Sequence, residues 1–209
     1  MKIRLARTRG IAKNEWIESR RTFSNNQYYN PEYMNWGNLK VINDDILQPG
    51  HMVPKHEHKN FDILGYLIEG KLEHWDTCGN LNTAEPGEIQ HMWCGRSIWH
   101  TERCISTTPA RYLQIWITPE QQYFNTEPFY EIAVKSLDYG PIPIQFRQNI
   151  SINAGNIAGN HTINTTNAYL YIVSGTVRGD DFTLEEGDGA YLTEPITAEF
   201  AAHILLFEQ

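Results

Sequence analysis

From Leu39 onward the apolar residues fall in short runs separated by turn-forming residues at intervals of about eight to twelve positions, the signature of an all-β chain rather than of helices. Strands are predicted over residues 39–42, 62–68, 71–76, 88–93, 97–103 and 111–117. Between them Glu69-Gly70, Cys78-Gly79-Asn80 and Pro86-Gly87 supply the positive or fixed φ that tight turns require. The first 33 residues, basic and then polar and aromatic, read as an early strand followed by a loop. After Thr118-Pro119-Glu120 the pattern is interrupted by Pro119 and Pro128, which predicts a linker with room for a short helix near Glu120 to Phe124. From Asn149 the β pattern returns.

The second half echoes the first. Tyr171-Ile172-Val173-Ser174-Gly175-Thr176-Val177 parallels Tyr66-Leu67-Ile68-Glu69-Gly70-Lys71-Leu72 at an offset of 105, and Glu186-Gly187-Asp188 parallels Pro86-Gly87-Glu88 at an offset of 100. A repeated frame of this kind predicts two similar β units in tandem.

Chemistry is concentrated between Gly50 and Glu102. His56 and His58 are two residues apart, so on an extended strand their side chains leave the same face about 7 Å apart. His100 and Glu102 repeat the spacing. If pairing brings the two strands face to face across a barrel interior, three imidazoles and one carboxylate surround a single site. One His-x-His pair among eight histidines in 209 residues is weak evidence. The second pair and the glycines around it are what favour a metal site over half-buried strand histidines. This donor set suits Fe, Ni, Cu, Co, Mn or Zn, and its lack of thiolate argues against an iron–sulfur or structural zinc site. Four protein ligands leave two positions of an octahedron for a chelating substrate or dioxygen. Alternation turns Glu57 away from the ion. Asp62 either accepts a hydrogen bond from a ligand imidazole or sits at a strand edge in solvent. His74 and His91 are expected on the barrel wall or at its mouth, and Phe61, Trp93 and Trp99 in the core or pocket lining.

Gly50-x5-His56-x-His58-x3-Asp62-x7-Gly70, then Pro86-Gly87-Glu88-x-Gln90, then Gly95-x4-His100-x-Glu102 resemble the two cupin motifs in the form used by the pirin family. The lead-in Gly37-Asn38-Leu39-Lys40-Val41-Ile42-Asn43-Asp44-Asp45, followed by Pro49-Gly50, is also similar, so the match spans residues 35–104. The resemblance implies an all-β bicupin, two double-stranded β-helix (jelly-roll) barrels in tandem. Their expected limits are 1–118 for the first, 119–135 for the linker and 136–209 for the second. It further implies one divalent metal ion in the first barrel, held by His56, His58, His100 and Glu102, with Fe(II) the usual ion. The sequence departs from the family at Glu57, where proline is common, at Lys59-Asn60-Phe61-Asp62, and at His91 and Cys94. These changes spare the ligands and alter the rim. Carried across the echo, His56 meets His161, but His58 meets Ile163, His100 meets Phe200 and Glu102 meets Ala202, so the second barrel is expected to hold no metal.

Two family roles follow as expectations. One is a quercetin 2,3-dioxygenase-like enzyme, in which a flavonol or similar enediol and dioxygen meet at the metal and Glu102 serves as ligand and base. The other is a redox-sensing regulator acting through protein partners without turnover. A net charge of −8 and a pI of 5.5 argue against direct nucleic-acid or anionic-membrane binding. Cys78, Cys94 and Cys104 are odd in number and lack a zinc spacing, which fits a reducing compartment. With no apolar leader and no spanning run, a cytoplasmic location is expected.

Overall fold

The structure is a computed structural model that describes residues 1–134 and 137–209. Nearly all of its regular structure is strand, and the described helical turns, Ala6–Thr8 and Gln121–Tyr123, are short 3-10 pieces.

One compact unit comprises Gly10–Val134 and Ile144–Gln148. Its larger sheet has seven strands in the order Phe129–Val134, Glu88–Trp93, Asp62–Glu69, Ala110–Ile117, Leu39–Leu47, Ile17–Arg21 and Gly10–Lys13. Its smaller sheet runs Met52–His58, Ile98–Cys104, Leu72–Asp76 and Leu81–Ala84. All these neighbours pair antiparallel. The period-2 alternation is plainest in Ile98–Cys104, where Ile98, His100, Glu102 and Cys104 are buried while Trp99 and Arg103 are exposed. The core-facing set of this strand therefore includes an imidazole and a carboxylate.

The strand predicted to end at Ile42 continues to Leu47 through Asn43, Asp44 and Asp45, all buried. Polar residues in succession read as a turn, but here they have partners or face a cavity. Arg111 clasps Asp44 through Nε at 2.9 Å and Nη2 at 3.0 Å.

The second unit comprises Met1–Arg9, the described residues up to Pro143, and Asn149–Gln209. Its seven-stranded sheet is ordered Lys2–Arg4, Gly189–Leu192, Ala168–Arg178, Ile196–Glu208, Ser151–Ile163 and Gly140–Pro141, with Thr183–Glu185 pairing Ala168–Arg178. Its interior is apolar, built around Ile163, Leu170, Ile172, Val177, Phe200, Ile204 and Leu206.

The compact units are divided differently from the expected limits of 1–118 and 119–135. Lys2–Arg4 pairs with Gly189–Leu192, which assigns the N-terminus to the second unit. Part of the predicted linker, Phe129–Val134, is an edge strand of the first unit in register with Glu88–Trp93. In both cases strand pairing at a sheet edge decides membership. The expected boundary at 135/136 lies outside the described residues.

Candidate metal centre

The strands Met52–His58 and Ile98–Cys104 are direct neighbours in the four-stranded sheet, with His100 opposite His56 and Ile98 opposite His58. The expectation that they face each other across the barrel is thus corrected. Side-by-side pairing puts opposed Cβ atoms about 5 Å apart, closer than two facing sheets about 10 Å apart. The ligand atoms of His56, His58 and His100 all lie within 4.8 Å of one another. After a register shift, Glu102 stands opposite Val53 on one side and His74 on the other.

The imidazoles are prepared for a cation. His56 Nδ1 lies 2.8 Å from the Pro54 carbonyl oxygen, which can only accept, so Nδ1 carries the proton and Nε2 presents a lone pair. His100 Nε2 is 3.0 Å from that Nε2. Two nitrogens at right angles about an ion, each at about 2.1 Å, are separated by about 3.0 Å, so the observed spacing suits adjacent ligands. Burial and the neighbouring His56 hold His58 down to about 4. Burial, with His56, His58 and His74 nearby, holds His100 far below the ordinary histidine range. Both stay neutral near pH 7, the form that binds metal. The donor set fits a divalent transition-metal ion.

Glu102 is buried, and both of its oxygens are engaged. Gln114 Nε2 donates to them at 2.7 and 2.8 Å, and the Tyr112 hydroxyl donates at 3.3 Å. Burial raises its carboxyl to about 7 against the lowering effect of Gln114, and nearby Asp45 adds to the rise. His56, His58 and Glu102 line a cavity of about 360 Å³ together with Tyr112, Gln114 and Trp116. Trp116 meets the His58 ring edge-on at 4.7 Å.

The other singled-out residues fall around this centre. Glu57 points away, bonded by Ser97 at 2.6 Å and paired with Lys59 at 3.1 Å. Asp62 meets neither expectation. It is fully buried, 2.9 Å from His91 Nε2 and 3.0 Å from Arg147 Nη1, while His91 Nδ1 lies 2.8 Å from Glu131. Arg147 lies over the rings of buried Trp93 and of Phe129. Phe61 packs at 5.6 Å from Trp116. Trp99 is exposed rather than core or lining, because odd positions of its strand face outward.

His74, to which the sequence pattern lends little weight, lies beside the histidine cluster. Its ring is 5.4 Å from His100, stacks on Tyr130 at 4.1 Å and bonds Asp76 at 2.9 Å. Its even spacing from Asp76 and Leu72 on an alternating strand is the signal that points inward. Burial lowers its pKa while Asp76 opposes the shift.

A double-barrel frame with a histidine cluster inside the first barrel defines a bicupin able to hold a metal ion. The pirin profile matches residues 2–117, and the profile of the quercetinase C-terminal cupin domain matches residues 136–209. The chain belongs to the pirin family. It is 42% identical over 120 residues to the quercetin 2,3-dioxygenase of Escherichia coli K12, an alignment covering 57% of this chain and 52% of that protein, so it spans about half the length of that relative. A Pseudomonas aeruginosa protein, provisionally named a quercetin 2,3-dioxygenase, is 30% identical over 220 residues and 95% of each chain. The crystal structure of the bacterial pirin YhhW from Escherichia coli in complex with nickel(II) superposes with a TM-score of 0.90 at 28% identity, covering 99% of this chain and 97% of that one.

No described helix is long and apolar enough to cross a membrane.

Proposed function

We propose that this pirin is a metal-dependent dioxygenase acting on a flavonol or similar chelating enediol, with His56, His58, His100 and Glu102 as the metal ligands. The observation that carries the reading is the 3.0 Å approach of His56 Nε2 to His100 Nε2, with the His56 tautomer set by Pro54, beside a cavity of about 360 Å³ that His56 and His58 line. The names borne by the relatives support the substrate class.

A bound divalent cation, iron by family expectation, supplies Lewis acidity that lowers the pKa of a chelated hydroxyl and brings the substrate together with dioxygen. His56, His58 and His100 contribute neutral nitrogens, so the site keeps net positive charge toward an anionic substrate. Gln114 and Tyr112 hold the Glu102 carboxylate in place. Glu102 is the residue placed to take the substrate's hydroxyl proton when it swings off the ion. Trp116 and Val53 contribute apolar lining suited to a flat ring.

The test is anaerobic reconstitution with each candidate metal, followed by oxygen uptake with quercetin. Turnover that disappears in His56→Ala is expected. No turnover with any metal overturns the reading.

One observation favours a second role, that of a regulator working through a protein partner. The outer face of the sheet that carries the ligands exposes Trp75 (38%) and Trp99 (42%), with Lys55 Nζ 4.9 and 5.9 Å from their rings and Leu81 paired beside Trp75. Exposed tryptophans are typical of protein contacts. A redox-active ion held by His56, His58 and His100 would, on oxidation, add one charge behind this face. Pull-downs under reducing and oxidising conditions test it, and an identical partner set in both removes the switch.

A further inference from the structure

We infer that the cavity wall contributed by the seven-stranded sheet recognises a pair of adjacent ring hydroxyls on the substrate, at the end away from its chelating edge. This rests on the flavonol reading and adds to it a second recognition element, carried by Arg21, Asn25, Asn43 and Asp45.

Two polar rows cross the sheet. Arg21, Asn43 and Gln114 are in register on three consecutive strands, and Ser19, Asp45 and Tyr112 form the next row. All six line the cavity that also holds His56, His58 and Glu102. The innermost members of the rows, Gln114 and Tyr112, are committed to Glu102. The remainder are not fully used. Asn43 Oδ1 and Asp45 Oδ1, on residues only 7% exposed, have no hydrogen-bond partner among the described residues, and neither do Arg21 Nε and Asn25 Nδ2. Arg21 is itself anchored, its Nη1 donating to the Asn25 carbonyl at 3.1 Å.

Buried polar atoms are costly to leave unpaired, so a wall of two acceptors and two donors is best explained by a ligand that completes it. A hydroxyl both donates and accepts. Asn43 and Asp45 stand two residues apart on one strand face, about 7 Å along the chain, a gap that two adjacent hydroxyls bonding outward can span. Their lone pairs then accept from Arg21 and Asn25. A ring without hydroxyls leaves these four atoms unpaired, which is the arrangement that discriminates most strongly between analogues.

Quercetin and galangin share the same chelating edge and differ only in the two adjacent hydroxyls of the pendant ring. Each is titrated calorimetrically into the metal-loaded protein without oxygen, so that binding is read and turnover is not. Quercetin is expected to bind at least about tenfold tighter. That ratio is expected to fall to within about twofold in Asn43→Leu and, at a half-buried position less able to disturb folding, in Arg21→Met. Near-UV circular dichroism verifies that each variant is folded. Equal affinities in the wild type overturn the inference. So does a quercetin advantage that survives in both folded variants, since it then comes from chelation by the pendant ring. Either result leaves the flavonol reading standing, whereas failure of both flavonols to bind overturns the inference and that reading together.

Discussion

The two barrels share a frame and differ in what the frame encloses. In the first, Asp62, His74, Asp76, His91, His100 and Glu102 are buried. In the second, the corresponding volume is filled by Ile163, Leu170, Ile172, Phe200 and Ile204. Buried polar groups destabilise a fold unless they are paired, and the first barrel pairs them in short chains. His91 lies between Asp62 and Glu131, Asp76 accepts from the Asn80 side chain at 2.9 and 3.0 Å beside His74, and Glu102 accepts from Gln114 and Tyr112. The second barrel has no such obligations at these positions and draws its stability from packing. The echoed frame thus encloses a histidine cluster in one copy and an apolar core in the other, and the difference is made at a handful of inward-facing positions.

The sharpest way to break the comparison is to substitute at matched positions. His100→Ala is expected to lower metal affinity at least about a hundredfold, reducing bound metal from one ion per chain to background in elemental analysis. Phe200→Ala, its counterpart across the echo, is expected to leave that stoichiometry unchanged and to cost about 3–5 kcal/mol in urea denaturation, because a fully buried ring is removed from a dry core. Loss of metal on Phe200→Ala would show that the second barrel shapes the site.

A smaller effect should appear in the pH dependence of metal binding. Burial raises the Glu102 carboxyl to about 7, so below that pH the folded protein holds a proton that a cation must displace. Affinity is therefore expected to climb with pH, by at most tenfold per unit, and to level off above about pH 7. His58, held at about 4, and His100, held lower still, are already neutral over this range and add no slope. Glu102→Gln should flatten the profile between pH 5.5 and 7, an interval of about 1.5 units chosen to lie above the His58 transition. A profile that keeps its slope in this variant would assign the displaced proton to another group.

Much of this contrast is legible in the order of residues along the chain. The two histidine-containing triplets announce the centre because alternation on a strand is strict, and the six predicted strands near it are all present. The echo places Phe200 and Ile163 in the second interior for the same reason. What stays hidden depends on pairing, which local pattern does not encode. Nothing near Asp62 names His91 and Arg147 as its partners, and nothing in Lys2–Arg4 or Phe129–Val134 says which sheet edge it joins. Asn43-Asp44-Asp45 looks like a strand end because buried polar residues imitate a loop until their partner, such as Arg111 for Asp44, or their cavity is known.

The shared frame itself can be tested where the difference should be smallest. Gly70 and Gly175 occupy matched turns of the echo with φ of +78° and +85°, a region that costs an L-residue about 1–2 kcal/mol. That cost should be common to Gly70→Ala and Gly175→Ala. Space separates them. A Cβ at Gly70 would meet the Pro109 carbonyl oxygen at 2.7 Å, and one at Gly175 would meet the Ala201 carbonyl oxygen at 2.1 Å. Both obstacles are backbone, and the second is deeper inside contact distance, on a strand paired along its length with Ser151–Ile163. Gly175→Ala is therefore expected to be the more destabilising by about 1 kcal/mol in urea denaturation. A reversed order would mean that the second barrel's turn yields more readily than its pairing implies, and that the two copies differ in rigidity as well as in filling.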